Sequence, residues 1–437
     1  MDDTLLLARA QFGLNIGFHI LFPALTIGLG WMLVYFRARH LATGQGEWLA
    51  TFRLWAKIFG LSFAMGVVSG LTMSFQFGTN WPGYMNTVGN IAGPLLSYEV
   101  LFAFFMEATF LGVVLFGLRR VSPAMHLFAT VMVAIGTTMS AFWILALNSW
   151  MQTPAGHVVQ DGALIAGDWW SVIFNPSFPY RLAHMTMASG LTASFFLAGL
   201  SAWRLLRAPS DGSARVTLRT GLIVAAVLAP IQIAVGDLHG LNTLEHQPAK
   251  VAAMEALWET RTAAPLVLFA LPNATDKRND WAIEVPGAAS LILRHDRGAE
   301  VKGLNQFAPD IPPVWPVFFA FRTMVGIGLL MLASSWLGVF LLRRNANAPR
   351  WLLWGLSAMT FSGWIATVSG WLVTEIGRQP WLVTGLLRTV DAVGEVPGAE
   401  IHLSFAAYAT CYCAMLIAYM VVVTHLARDG ASAEHPA

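Results

Sequence analysis

Charge is scarce in this sequence of 437 residues. Only 11% of the residues are Asp, Glu, Lys or Arg, whereas 56% are hydrophobic and the mean hydropathy is +0.59. An ordinary soluble domain carries about 25% charged residues, so this composition excludes a soluble enzyme of this length and a disordered chain. The net charge of +2 is too small to indicate a nucleic-acid partner. The composition indicates a polytopic membrane protein.

Cysteine is also rare, with only Cys411 and Cys413 present. Two cysteines exclude a disulfide-rich secreted scaffold. They lie two residues apart in an apolar run, where a helix points them in different directions. We therefore expect packing residues and no mutual disulfide. The N-terminus lacks a basic segment followed by a small-residue cleavage site, and we expect no removable signal peptide.

Apolar runs long enough to cross about 30 Å of hydrocarbon occur about nine times. They predict an all-α integral membrane protein that forms one polytopic domain over 1–437. The one long polar insertion, 238–315, lies between the sixth and seventh helices, and we expect it to be a folded extramembrane loop. The predicted spans are 13–36, 52–78, 93–118, 125–147, 182–206, 217–237, 316–342, 351–376 and 402–427.

Basic residues are distributed unequally between the two sides of the predicted bundle. One set of short loops and helix ends is rich in them, for example at Arg119, Arg120 and Arg343. The basic residues of the opposite set are Arg9, Arg181, Arg378 and Arg388. Because Lys and Arg mark cytoplasmic loops, we predict an outside (periplasmic) N-terminus, an outside long loop and a cytoplasmic C-terminus.

Ionisable residues within the predicted helices are candidates for function, because a charge at membrane depth is costly. At a rise of 1.5 Å per residue, four of these candidates lie within roughly 3–12 Å of the outer face: His19, His184, Met324 and Glu99. Glu375 ends its helix at the same face. Glu107 is about 12 Å deeper than Glu99 and about 80° around the helix, so both can line one track. The candidates are His19 in helix 1, Glu99 and Glu107 in helix 3, His184 in helix 5, Arg322 and Met324 in helix 7, and Glu375 in helix 8.

This set of side chains indicates oxygen reduction at heme. Imidazole and thioether together form a low-spin heme ligand pair, whereas a His or a carboxylate alone leaves an iron position open to dioxygen. Two other classes stay open on the residues alone. A proton-coupled transporter would use Glu99, Glu107 and Glu375 as its relay. A b-type diheme quinone subunit usually shows paired histidines on facing helices, and no such pairs appear in the sequence.

Three segments resemble subunit I of the cytochrome bd quinol oxidases. They are ARAQFGLNIGFHILFPALTIGLGW (8–31), QPAKVAAMEALWET (247–260) and GWLVTEIGRQPW (370–381). The resemblance covers nearly the whole chain and implies a multi-pass protein of the bacterial cytoplasmic (inner) membrane, with 238–315 as the periplasmic quinol-binding loop. It implies a terminal respiratory quinol:oxygen oxidoreductase, which reduces O2 to water with cytoplasmic protons and generates a proton motive force without pumping.

The resemblance also implies a role for each matching residue. His184 and Met324 resemble the axial ligands of the low-spin heme b558, with Arg322 beside it. His19 and Glu375 resemble the ligands of the two high-spin hemes, d and b595, and which heme each one binds stays open. The other matches are Glu99 near the heme d pocket, Glu107, Ser140 and Asn148 in the proton pathway, Trp371 between the hemes, Arg378 beside heme propionates or a nearby carboxylate, and Lys250 and Glu255 in quinol binding and oxidation.

Two features place the chain within the family. Its outside loop is short and resembles the short-loop branch, and ALNSWMQTPAG (146–156) together with helix 1 resembles the cyanide-insensitive subgroup. Some members of that subgroup lack the usual heme d spectrum, so a third heme b in place of heme d stays open. The family implies a second membrane subunit, subunit II, with a small single-helix subunit as a further candidate. Ubiquinol is the default substrate.

Overall fold

Nine helices in the described part of the chain are long and apolar enough to cross a bilayer. The computed structural model describes residues 3–344, 348–394 and 398–432. The predicted number of spans is confirmed, although most helices extend beyond the predicted bounds because their polar ends stay helical. Spans 1 to 9 are Thr4–Thr43, Gly46–Thr79, Pro82–Phe116, Pro123–Gln152, Phe178–Arg207, Gly212–His246, Val314–Arg344, Arg350–Ile376 and Gly398–Arg428.

Span 1 is interrupted beside a predicted site residue. It consists of helices Asp3–His19 and Leu21–Thr43, which meet at Ile20. Pro23 explains the break, because it has no N–H to bond to the carbonyl of the residue four positions earlier. His19 therefore ends the first helix.

Span 3 is irregular at the first of its two glutamates. Helix Pro82–Tyr98 leads into the π-helix Glu99–Phe104, and helix Phe105–Phe116 follows. A π-turn inserts one residue relative to an α-helix, which rotates everything after it by about 100°. The offset of about 80° that a regular helix gives between Glu99 and Glu107 becomes roughly 20°, so the two residues share one face.

Span 8 is divided into helices Arg350–Ala358 and Ser362–Ile376. Span 5 lies at the centre of the bundle, with 67% of its apolar window buried, whereas spans 7 and 9 are peripheral at 17% each. Cys411 and Cys413 lie on span 9 as free, exposed thiols. The expectation of no mutual disulfide is confirmed, and both side chains lie on the surface of the chain.

The long loop between spans 6 and 7 is shorter than predicted, because span 6 stays helical to His246 and span 7 begins at Val314. It is folded, as expected, but it contains β-structure as well as helix. Its elements are helix Pro248–Met254, strands Arg261–Thr262 and Glu300–Val301, the hairpin of Leu266–Asn273 with Arg278–Val285, helix Ala288–Arg294 and the 3-10 turn Leu304–Gln306.

Two smaller hairpins lie on the same side of the bundle as the long loop. Between spans 4 and 5, strand His157–Gln160 pairs with Ala163–Ala166, and helix Trp169–Ile173 follows. Between spans 8 and 9, Trp381–Val383 pairs with Leu387–Arg388, followed by helix Thr389–Ala392. The described β-structure is thus confined to the side that the charge pattern predicts to be outside, called the outer side below, and the membrane part is all-α.

Candidate heme and quinol site

His19 lies where the first helix of span 1 ends, and its ring packs closely against span 2. Nδ1 lies 3.0 Å from the Ser69 hydroxyl oxygen. A Cβ at Gly70 would lie 3.0 Å from His19 Cε1, a tight contact, so the ring packs directly against the backbone of span 2 at this glycine. A histidine that uses one ring nitrogen in a hydrogen bond is oriented to offer the other to a metal. Nε2 is therefore the candidate ligand atom.

His184 projects from span 5 toward span 6. Its Nε2 lies 3.1 Å from Gln232 Nε2, while Nδ1 is buried without a hydrogen-bond partner. A Cβ at Gly236 would lie 3.4 Å from the ring, and the ring of His239 lies 5.4 Å away, edge to face. A buried, unpartnered imidazole nitrogen is costly on its own, which fits a group that takes a ligand.

His239 is a residue that the sequence analysis missed, and the expectation of no paired histidines on facing helices is wrong because His239 on span 6 faces His184 on span 5. It follows Gln232 by seven positions and Gly236 by three, so all three occupy one face of span 6. This spacing was visible in the sequence, but only the packing of span 6 on span 5 shows that the face meets His184.

Met324 is half-buried on span 7 and faces span 8. A Cβ at Gly370 would lie 2.9 Å from its sulfur, so the absence of a side chain at that position creates the space for the thioether. Trp371 follows Gly370 on span 8, one helical turn before Glu375, and is half-buried. Span 7 packs on spans 6 and 8, so Met324 and His184 belong to one group of helices but have different immediate neighbours.

Arg322 reaches out of span 7 into the outer loop. It donates to the Met254 carbonyl at 2.6 Å and to the Val267 carbonyl at 2.5 Å from Nη2 and 3.0 Å from Nε. Its Nη2 also bonds to Glu255 Oε2 at 2.9 Å, with the two side chains 17% and 8% exposed. Arg322 thus fixes the position of the Glu255 carboxylate relative to the helix that carries Met324.

Glu375 is held by polar groups at the outer ends of spans 4 and 8. Asn148 donates to Oε1 at 2.9 Å, Gln152 approaches the same oxygen at 3.4 Å, and Arg378 donates to Oε2. Asn148, which the resemblance places in the proton pathway, therefore has the proposed iron ligand as its partner. Asn148 and Gln152 lie one turn apart on span 4, so they contact Glu375 from the same face.

Lys250 does not join Glu255, although the two are only five residues apart. Its Nζ donates to Gln152 Oε1 at 2.6 Å and to Gln247 Oε1 at 2.9 Å, and the residue is 3% exposed. Burial lowers the pKa of Lys250 well below its usual range, the charges of Arg181 and Arg378 lower it further, and that of Glu375 opposes them. Lys250 thus belongs to the Glu375 cluster.

Buried positive charge exceeds negative charge around Glu375. Arg181 and Arg378, which are 6% and 5% exposed, are two cations beside the single carboxylate of Glu375. Nε of both arginines and Nη1 of Arg378 lack hydrogen-bond partners in the described chain. Buried guanidinium donors are normally paired, and their planar fork matches carboxylates. This cluster therefore fits an anionic group such as heme propionates.

Span 4 provides a common scale for the depth of the acidic residues. Asn148 marks the level of Glu375, whereas Ser140, which donates to Glu99 Oε1 at 2.7 Å, lies eight residues earlier on span 4, away from the outer side. At 1.5 Å per residue the two levels differ by about 12 Å. The single layer predicted for the outer face therefore does not include Glu99, because span 3 begins eleven residues earlier than expected, at Pro82.

Glu107 continues this acidic path toward the other side. It is 6% exposed, and its Cγ would lie 2.5 Å from a Cβ at Gly136. Gly136 lies one helical turn before Ser140 on span 4, so Glu99 and Glu107 contact the same face of that helix. The sequence predicted a shared track, and the π-turn of span 3 aligns it.

These side chains suit iron held in a porphyrin better than a bare metal ion. Among the described residues, no three His, Cys, Asp or Glu side chains form a metal-binding group. The available donors are instead His19, His184 and Met324, each packed beside a glycine, and the carboxylate of Glu375 beside buried arginines. One or two axial ligands with nearby cations for the propionates is what a heme requires from a protein.

The comparisons with known proteins identify the family of the chain. The family model described as cytochrome bd terminal oxidase subunit I matches residues 7–431. The cytochrome bd-II ubiquinol oxidase subunit 1 of Escherichia coli (strain K12) is 33% identical, covering 99% of this chain and 98% of that protein. The cytochrome bd ubiquinol oxidase subunit 1 of Bacillus subtilis (strain 168) is also 33% identical, covering 99% and 95%.

A solved structure supports the same family assignment. The bd oxidase of Geobacillus thermodenitrificans superposes with a TM-score of 0.91 at 30% identity, covering 98% of this chain and 99% of that one. A match over the whole length, together with the nine spans, excludes the transporter and the diheme quinone subunit that the sequence left open. The chain belongs to the cytochrome bd family as subunit I of a terminal quinol oxidase, a multi-pass oxidoreductase of the bacterial inner membrane whose family implies heme, quinol and a second subunit.

Proposed function

We propose that this subunit oxidises quinol at the outer side, carries three hemes and reduces O2 with protons taken from the opposite side. His184 and Met324 would hold the low-spin heme b558, supported by the unpartnered His184 nitrogen and by the room that Gly370 leaves for the Met324 sulfur. His19 and Glu375 would hold heme d, or a third heme b in its place, and heme b595. When bound, the hemes supply one-electron transfer and the reduction of dioxygen to water.

The cationic cluster around Glu375 would receive heme propionates. Arg378 and Arg181 supply buried positive charge there, and guanidinium forks bind carboxylates through two parallel hydrogen bonds. Asn148 and Gln152 orient the Glu375 carboxylate. Lys250 and Glu255 were both predicted at the quinol site. The hydrogen-bond partners of Lys250 support a role at the Glu375 cluster instead, and Glu255 remains the candidate that contacts quinol.

Glu255 would be the general base for quinol oxidation. Its carboxylate can accept a proton from a quinol hydroxyl, and Arg322 holds that carboxylate at 2.9 Å. Arg322 lies two residues before Met324 on span 7, which places the proton acceptor beside the helix of the proposed low-spin heme. The outer loop, 238–315 by sequence and 247–313 between the spans as they fold, would form the quinol site. Ubiquinol is the substrate named for two of the relatives, and we propose it here.

Glu99 and Glu107 would hold protons on their way to the oxygen site. Ser140 hydrogen-bonds to Glu99, and Glu107 packs on Gly136. From Gly136 to the far end of span 4 at Pro123 is about 20 Å at 1.5 Å per residue, so protons entering there cross most of the hydrocarbon. Charge would be separated by this uptake alone, without a pump.

The outer side would be periplasmic. Arg119 and Arg120 follow span 3, and Arg343 and Arg344 end span 7, all on the side opposite the β-hairpins. This arrangement satisfies the positive-inside rule with the N-terminus outside and the C-terminus in the cytoplasm. Subunit II, and a small single-helix subunit, would cover exposed faces of the bundle.

Visible spectra of the purified complex test the heme content. Reduced-minus-oxidised spectra, with and without carbon monoxide, should show a low-spin b signal and high-spin signals that respond to carbon monoxide. A chlorin band near the red end assigns heme d, and its absence with all b signals retained assigns a third heme b. A colourless complex would contradict the proposal.

Proteoliposomes test the sidedness and the proton path. The complex should generate a membrane potential when it oxidises quinol, with protons released on the side of the outer loop. Turnover without a potential would refute uptake from the opposite side.

A further inference from the structure

We propose that the hairpin 266–285 of the outer loop is a membrane anchor that lies in the headgroup region of the outer leaflet. A contiguous exposed apolar surface on an extramembrane segment marks an interaction site. Six apolar side chains of this hairpin are each more than 40% exposed: Leu268, Phe269, Leu271, Trp281, Ile283 and Val285.

The hairpin is packed against the outer end of span 7, which fixes its depth. The rings of Phe269 and Phe319 are 6.1 Å apart, and the Val267 carbonyl accepts a hydrogen bond from Arg322. Span 7 has 31 residues, or about 46 Å, close to the 40–45 Å of a bilayer with its headgroups. Phe319 is then roughly 8 Å from the outer end at Val314, near the lower edge of the headgroup region.

Two tryptophans lie at the edge of this surface. Trp281 is 82% exposed and has a φ of 56°, in a bulge where the register changes from Phe269 opposite Ile283 to Leu271 opposite Asp280. A bulge redirects a side chain, and here it turns the indole outward. Trp315, at the outer end of span 7, is 58% exposed. Indole rings concentrate at the membrane–water interface, where one edge is apolar and the other is hydrated.

Charge is concentrated at the turn of the hairpin, and one further exposed carboxylate, Glu284, lies on strand Arg278–Val285. The turn carries Asp276, Lys277 and Arg278, all exposed, and Arg278 pairs with Asp276 at 3.4 Å and with Asp280 at 2.9 Å. An element with an apolar surface and a charged end is suited to lie at a lipid interface with the charges in water.

Continuity with the lipid-facing side of span 7 identifies the bilayer as what covers the patch. Below Trp315 the same span exposes Val325, Leu329 and Leu330, which are 41–53% exposed at membrane depth. The hairpin therefore continues the surface of a peripheral span outward. The strand that bears the patch also binds Arg322, so the anchor would hold the loop in place beside Glu255.

Spin labels on the complete oxidase complex in lipid nanodiscs test the anchor. Cysteines are introduced singly as Trp281→Cys and Ile283→Cys in a Cys411→Ser, Cys413→Ser background, and Ala274→Cys in the exposed turn is the matched control. The same complex without an introduced cysteine, labelled in parallel, supplies the background signal. Collision rates with O2, which concentrates in lipid, and with a water-soluble nickel chelate then report the surroundings of each label.

The ratio of O2 to nickel collisions should be several-fold higher at positions 281 and 283 than at 274. Equal ratios at all three positions would show that the hairpin lies in water and would overturn the anchor. Labels at 281 and 283 that are immobilised and shielded from both reagents would also overturn it, because a protein surface would then cover the patch. The two positions serve as independent tests if either variant fails to assemble.

Discussion

Arg322 Nη2 and Glu255 Oε2 are 2.9 Å apart, in a largely buried ion pair between span 7 and the outer loop. The same guanidinium also binds the carbonyls of Met254 and Val267. One side chain of a membrane helix thus fixes the carboxylate that we propose as the proton acceptor for quinol.

Replacing Glu255 with Gln should reduce quinol oxidation by roughly 100-fold, the lower range for loss of a general base. The hemes should remain fully reducible by dithionite, because the change touches only the quinol reaction. Steady-state oxygen consumption with quinol measures the effect. Glu259→Gln, an exposed acid in the same loop, is the control and should keep wild-type turnover. Wild-type activity in Glu255→Gln would contradict the assignment.

Met324→Leu should abolish the low-spin heme signal while preserving the volume of the side chain, because leucine has no sulfur to bind iron. Low-temperature reduced-minus-oxidised spectra measure it. Met331→Leu, a buried methionine on the same span, should leave the signal unchanged. If both variants keep the low-spin signal, the methionine ligand lies elsewhere.

Arg378→Gln should weaken retention of the heme near Glu375. Removing one partner of a buried charge pair costs about 3–5 kcal/mol, which corresponds to roughly 100-fold or more in heme affinity. The heme-to-protein ratio after purification measures this loss. Arg388→Gln removes a more exposed arginine that pairs with Asp310, and it should retain full heme content. Equal heme content in the two variants would show that Arg378 does not bind propionates.

Gly136→Ala should slow turnover at saturating quinol, because the added methyl group would lie 2.5 Å from Glu107 Cγ and displace that carboxylate. Spectra should show all hemes assembled, so the loss would be confined to proton delivery. Gly112→Ala on span 3, where a Cβ meets nothing within 4 Å, is the control. Normal turnover in Gly136→Ala would place Glu107 outside the rate-determining path.

Depth along the membrane was the weakest part of the sequence analysis. Hydropathy marks the apolar part of a helix, but the polar ends of span 3 are also helical, so Glu99 was placed too near the outer face. The offset between Glu99 and Glu107 also changed, because a π-turn depends on local backbone geometry that composition does not reveal. His239 was overlooked for a related reason, since its neighbour His184 lies on another span.

The sequence by itself determined the membrane class, the number of spans and the side chains that can bind iron or transfer protons, because hydropathy and motifs are local properties of the chain. Only the tertiary structure decided which of those residues meet. Lys250 and Glu255 are neighbours in one short segment, yet the first turns to Gln152 and the second to Arg322. The partners come from spans 4 and 7, far away in sequence, and the packing of those spans is what separates the two side chains.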